Sequence, residues 1–177
     1  MTEQKTTIWK VDQSHSEVQF KVKHLTISNV SGTFKQFSGR MQSDAADFAN
    51  AKISFEIEAG SLDTNNKDRD EHLRGPQFLN VEKFPKILFD GTLQKKNDAY
   101  ALTGDLTICG ITNQVALEAD YTGTGTGRFG DTRAGFELTG KLLRKDYGLT
   151  FNVLTEAGGL VIGEEIKLHF DIQLIRE

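Results

Sequence analysis

Apolar and polar residues alternate with a period of two along most of this chain. Residues 17–24 read Glu-Val-Gln-Phe-Lys-Val-Lys-His, so Val18, Phe20, Val22 and His24 share one face of a strand and Glu17, Gln19, Lys21 and Lys23 the other. Ile53, Phe55 and Ile57 alternate with Ser54, Glu56 and Glu58, and Tyr100, Leu102, Leu106 and Ile108 with Thr103, Asp105 and Thr107. The pattern returns in Val115 to Tyr121 and in Phe136 to Leu142, and it is longest in Ile166, Leu168, Phe170, Ile172 and Leu174. Further strands are expected near 6–11, 30–42 and 86–95, about eight or nine in all. Each clear strand has one wet face, which argues for an antiparallel sheet. Turns are marked by Ser31-Gly32, Asn97-Asp98, Gly110, Gly123 to Gly130 and Gly158-Gly159, while Gly39, Gly104 and Gly140 inside strands predict bends or bulges. A sandwich and a barrel both alternate, but phenylalanines on inner faces with wet outer faces favour a barrel able to hold a small ligand.

One stretch breaks the pattern. Ser61 to Pro85 packs Asp68, Arg69, Asp70, Glu71, His72 and Arg74 together and follows them with Phe78, Leu79 and Phe84. Residues 65–74 can form a short helix, with Asn65 as cap and Gly75-Pro76 as its stop. Asp70 and Arg74 then stand at i,i+4, and Asp68 and His72 share a face. Such a segment is either a solvated, salt-bridged surface helix or the rim of a pocket. Polar groups above an apolar cavity are what an amphiphile needs, since its tail partitions by area and its head requires orientation.

Composition narrows the choices. A chain of 177 residues suits one domain, taken here as 1–177. A net charge of −4 leaves no basic footprint for nucleic acid, and no apolar run is long enough for a transmembrane helix. The N-terminal residues lack an apolar signal region, so a cytoplasmic location is expected, or a periplasmic one if the chain is a processed form. The lone Cys109 excludes an internal disulfide. Twelve Phe against one Trp and three Tyr suits an interior that touches apolar surface.

Several motifs carry no chemistry. Gly125 to Gly130 fits G-x-G-x-x-G, but strands flank it on both sides, so it reads as a β–β loop. Asp63-x-Asn65-x-Lys67 places a cation where a calcium loop needs a ligand. His15, His24, His72 and His169 lack metal-site spacing, and His169 falls on a wet face. His24 continues an apolar face, as a core-edge histidine or as a polar contact at a pocket mouth. Cys109 has no neighbouring cation to activate it, and G-x-S-x-G is absent.

Ordered segments along the chain carry a family resemblance. They are W-x-V-D-x-x-H-S at Trp9 to Ser16, F-x-V-x-H-L at Phe20 to Leu25 and V-S-G-T-F at Val30 to Phe34. S-L-D-T-N follows at Ser61 to Asn65, R-D-x-H-L at Arg69 to Leu73 and G-D-L-T-I-x-G-I-T at Gly104 to Thr112. R-A-G-F at Arg133 to Phe136 and K-D-Y-G at Lys145 to Gly148 complete the set. In these the chain resembles the YceI-like family of lipocalin-like polyisoprenoid-binding proteins. The resemblance implies an all-β, antiparallel up-and-down barrel of about eight strands with short helices at one mouth. It also implies a long amphiphile inside, an isoprenoid or fatty-acid derivative, and a homodimer. Phe20, Val22, Phe34, Phe37, Phe55 and Phe136 would line the cavity, and Ile57, Phe78, Phe89 and Leu106 join them as candidates. His24, Arg69, Asp70 and His72 match recurrent polar positions.

The resulting expectation is a non-enzymatic carrier or sensor of a hydrophobic ligand. No cofactor beyond that lipid, no metal and no catalytic residue is assigned. The rivals are an enzyme using Asp70 and His72 as an acid–base pair on a hydrophobic substrate, and a protein-interaction module.

Overall fold

The computed structural model describes residues 5–25, 27–152 and 161–177. The turn expected at Gly158-Gly159 lies outside them. Eleven strands are present among the described residues: β1 (Thr7–Val11), β2 (Glu17–His24), β3 (Ser28–Phe34), β4 (Phe37–Ser43), β5 (Ala51–Glu58), β6 (Leu62–Asp63), β7 (Lys86–Lys96), β8 (Ala99–Ile108), β9 (Ile111–Thr126), β10 (Thr132–Leu143) and β11 (Ile162–Arg176). Helix α1 (Lys67–Arg74) lies between β6 and β7.

Eight of these close a ring in the order β1-β4-β5-β7-β8-β9-β10-β11, with β11 pairing back onto β1. Every pairing is antiparallel. Closure leaves no sheet edge in the ring. Strands β2, β3 and β6 extend the wall at one end. Strands β1 and β2 follow one another along β11, with Val11 opposite Leu174 and then Glu17 opposite Asp171. Likewise β4 pairs with β1 and β3 with β2, while β5 pairs with β4 and β6 with β3. Each pair is thus one barrel strand broken midway, and the whole is an eight-strand meander.

The three breaks lie side by side and are sewn together. Gln13 donates its amide to Lys35 O at 3.1 Å and accepts from Phe37 N at 3.3 Å. The Ser61 hydroxyl accepts from Gln36 N at 3.0 Å and donates to Glu58 O at 2.6 Å. On the β11 side, Asp12 accepts from Ser14 N and Oγ and from Arg133 Nη1, and that same nitrogen donates to Gln173 Oε1 at 2.7 Å. Backbone groups freed by the breaks therefore have partners. Burial alone would raise the Asp12 pKa, but hydrogen bonds from Ser14, Arg133 and His15 outweigh it and hold the carboxyl far below the usual carboxylate range.

The far end of the ring is packed shut. Phe48 is buried there, with the rings of Trp9, Tyr121 and Phe136 each 5.5 Å from its own. The expected strand over 30–42 is two strands, because the chain breaks at Lys35 and Gln36. Ser31-Gly32 is not a turn but lies within β3. Register shifts fall at Gly135/Phe136 and between Ile162 and Ile166, not at Gly39, Gly104 or Gly140. Those glycines mark close approach instead: a Cβ on Gly140 would stand 2.2 Å from Leu117 Cδ2. The helix is capped by Asn66, whose side chain accepts from Arg69 N, because Asn65 adopts a left-handed turn with φ of 62°.

The Asp12 pKa fixes a pH signature. A depressed carboxylate stabilises the fold above its unfolded pKa near 3.8 and loses that contribution as pH falls toward the lower folded value. Asp12→Asn is expected to lower the urea midpoint at neutral pH. Its deficit against wild type should shrink steadily below pH 3.8 in urea titrations.

Candidate functional site

An apolar cavity of about 390 Å³ opens at the end of the barrel where β2, β3 and β6 form the wall. Phe20, Val22 and His24 of β2 reach it together, as their alternation requires, and Val30 and Phe34 of β3 stand beside them. Leu62, Leu79, Ile87, Ile108, Leu142 and Ile166 complete its apolar wall. A second, smaller chamber of about 110 Å³ lies deeper, inside the closed ring, lined by Phe55, Ile57, Phe89, Leu106 and Phe136 among others. Larger grooves of about 510 and 720 Å³ exist, but mixed polar and charged residues line them. The barrel interior combines concavity with apolar walls suited to a lipid tail.

The mouth of the outer chamber carries Lys23, His24, Arg69, His72 and Arg144, and among the described residues no acidic one lines it. His72 forms an aromatic cluster with Phe78 and Phe151, with ring centroids 5.0 to 5.2 Å apart, and its Nε2 lies 2.6 Å from Gln77 Oε1. Helix α1 covers this mouth through a clasp on residues 60–64. The buried Asp70 carboxylate accepts from Thr64 N at 3.0 Å and from the Thr64 hydroxyl. Arg69 donates to Thr64 Oγ1 at 2.8 Å and Thr64 O at 2.6 Å, and Arg74 to Gly60 O and Leu62 O. The charges of Arg69, Asp70 and Arg74 thus go to backbone and hydroxyl groups of residues 60–64, as charge-assisted hydrogen bonds.

A second clasp holds the opposite lip. The Arg144 guanidinium, 2% exposed, donates to Gly163 O at 2.9 Å, Leu149 O at 2.7 Å and Phe151 O at 2.8 Å. Glu164 Oε1 lies 3.6 Å away. One buried cation therefore fixes both ends of the segment that starts after β10 and re-enters at β11.

Of the residues expected at the site, Phe20, Val22, His24, Phe34, Arg69, His72 and Phe78 line the outer chamber, and Phe55, Ile57, Phe89, Leu106 and Phe136 the inner one. Phe37 lines neither; it is buried and stacks on Phe55 at 5.7 Å. Asp70 also lines neither, and it is not paired with His72: Thr64 takes the carboxylate and Gln77 the imidazole. Asp70 and Arg74, expected at i,i+4, likewise have separate partners. Burial pushes the Cys109 thiol pKa up, and its Sγ sits 3.4 Å from Leu79 O, an inert setting. His169 stands on the outer face, 2.8 Å from Glu137, away from the cavity. Sequence reasoning missed Arg144, Leu149 and Phe151. No periodicity marks these loop positions, although K-D-Y-G directly follows Arg144.

The model of the YceI-like domain matches residues 9–174. The chain belongs to the YceI-like family. It is 39% identical to a UPF0312 protein of Yersinia pestis over 168 residues, 93% of this chain and 84% of that one. In fold it is similar to BcnA of Burkholderia cenocepacia, with a TM-score of 0.79 and 20% identity over 92% of this chain and 98% of that one. A polyisoprenoid binding domain from Saccharophagus degradans implicated in plant cell wall breakdown is similar with a TM-score of 0.67, at 14% identity over 96% and 98% of the two chains.

Several YceI-like segments acquire physical roles here. In V-S-G-T-F, Gly32 faces Phe20 across the β2–β3 pair, and a Cβ there would meet the Phe20 ring at 2.3 Å. Only glycine lets that ring lie against the strand and leave the chamber open. W-x-V-D-x-x-H-S and R-A-G-F meet through Asp12 and Arg133 at the strand break. S-L-D-T-N and R-D-x-H-L meet through Thr64 and Asp70.

The Arg144 clasp predicts a local effect. Arg144→Met, which keeps bulk but removes the donors, should cost about 3 kcal/mol by leaving buried carbonyls unpaired. Amide exchange mapped by mass spectrometry should quicken at 149–152 and 161–163 before it does in the β7–β10 wall.

Proposed function

We propose that this protein binds and carries a long-chain amphiphile, a polyisoprenoid or fatty-acid derivative, with its tail in the barrel and its head at the mouth. The observation that carries this reading is the apolar interior beneath a rim of donors that includes His24, Arg69 and His72. Each tail methylene moved from water into such walls contributes about 0.8 kcal/mol before binding costs are met. The name of the Saccharophagus degradans neighbour, a polyisoprenoid binding domain, supports the same class of ligand. In this reading the protein is not an enzyme: Asp70 builds the lid, and the role left to His72 is contact with the head.

Native mass spectrometry of protein purified from cells, followed by organic extraction, tests the proposal. A co-purifying lipid of defined mass is expected. Val22→Trp, which fills the outer chamber from β2, should reduce that occupancy at least tenfold while far-ultraviolet circular dichroism stays unchanged. A clean apo mass, together with no uptake of added prenyl alcohols or fatty acids, would remove the carrier reading.

A further inference from the structure

Among the described residues the two chambers have one lining residue in common, Leu168 of β11. Its neighbours on the same strand divide cleanly: Ile162 and Ile166 belong to the outer chamber, Phe170, Ile172 and Leu174 to the inner. Two further side chains sit on other strands of the wall, Val18 beside Phe170 across β2–β11 and Phe37 beside Ile57 across β4–β5. Val18 and Phe37 are buried, at 2% and 6% exposure, yet line neither chamber. Val18 follows the break in the first barrel strand and Phe37 the break in the second. Gly140, paired with Leu168 across β10–β11, offers no side chain, and Leu117 occupies the space where its Cβ would be. At this level, then, Leu168 is the side chain that faces both voids.

We infer that Leu168 is the specificity-determining residue for tail length, a septum that ends the usable cavity at the floor of the outer chamber. This rests on the tail-inward reading above and goes further, since it assigns the length limit to one side chain. A tail short enough for the outer chamber gains affinity with every added methylene, roughly fourfold each. A longer tail meets Leu168 and must either displace it or leave its extra carbons at the mouth in water. Beyond that point each added methylene brings no gain.

The test uses two homologous series, straight-chain carboxylates and prenyl alcohols, in displacement of a fluorescent fatty-acid probe. Wild type should show affinity rising with length and then levelling. Leu168→Ala, which joins the chambers, should move the levelling point to longer tails and tighten the longest members about tenfold or more over wild type. Leu168→Phe, which thickens the septum, should not lengthen it. Leu102→Ala enlarges the inner chamber without touching the outer one and should leave the levelling point where it is; thermal melts check that each variant folds. An identical levelling point in wild type and Leu168→Ala overturns the septum while leaving the carrier intact. A shift in Leu102→Ala overturns it too, because tails would then already reach the inner chamber. Binding of no member of either series, by any form, overturns the tail-inward reading itself.

Discussion

Strand β11, Ile162–Arg176, hydrogen-bonds along one side to β10 and along the other first to β2 and then to β1. This change of partner is the constraint from which the cavity follows. Because β1 and β2 lie end to end rather than side by side, the wall can close tightly at one end and splay at the other. The residues between them, Asp12 to Ser16, must leave the ladder, and their polar groups are met by Lys35, Phe37, Arg133, Gln173 and each other. Repeating the break in the next two strands gives a belt, with the closed ring and its small inner chamber on one side and the wider hollow on the other.

Charge in this protein serves geometry. Asp70, Arg69, Arg74 and Arg144 all bind backbone or hydroxyl groups, and together they hold two lips of non-β structure against a barrel mouth. An apolar lid could cover the same opening but would collapse into the void beneath it. Directional bonds to fixed carbonyls hold each lip in place, and the two meet where the His72 and Phe78 rings touch Phe151. The unpartnered space under them is what an interior of ordinary packing density would not contain.

Much of this was legible from residue order. Period-two alternation placed β2, β5, β8, β10 and β11 and the faces they turn inward, because a half-buried strand leaves no other solution. It could not locate the breaks at Lys35 and Gln36, since one strand and two collinear strands alternate alike. Family resemblance supplied Arg69 and Asp70 as recurrent positions, but their work became clear only with Thr64, whose side chain says nothing of a carboxylate six residues on. Arg144 and Phe151 stayed hidden for a different reason. Their place at the mouth depends on where β10 ends and β11 begins, a tertiary fact with no local pattern.

The ring closes between β1 and β11, with Trp9 opposite Arg176, so its last seam joins the two ends of the described chain. Such long-range closure carries the largest loop entropy in the molecule, whereas the Thr64–Asp70 clasp spans six residues and closes at little cost. A ribosome that has delivered every element up to β10 has made the lid and most of the wall but no container. Both chambers take residues from β11. The hollow is therefore defined only once β11 has docked between β10 on one side and the β1–β2 pair on the other.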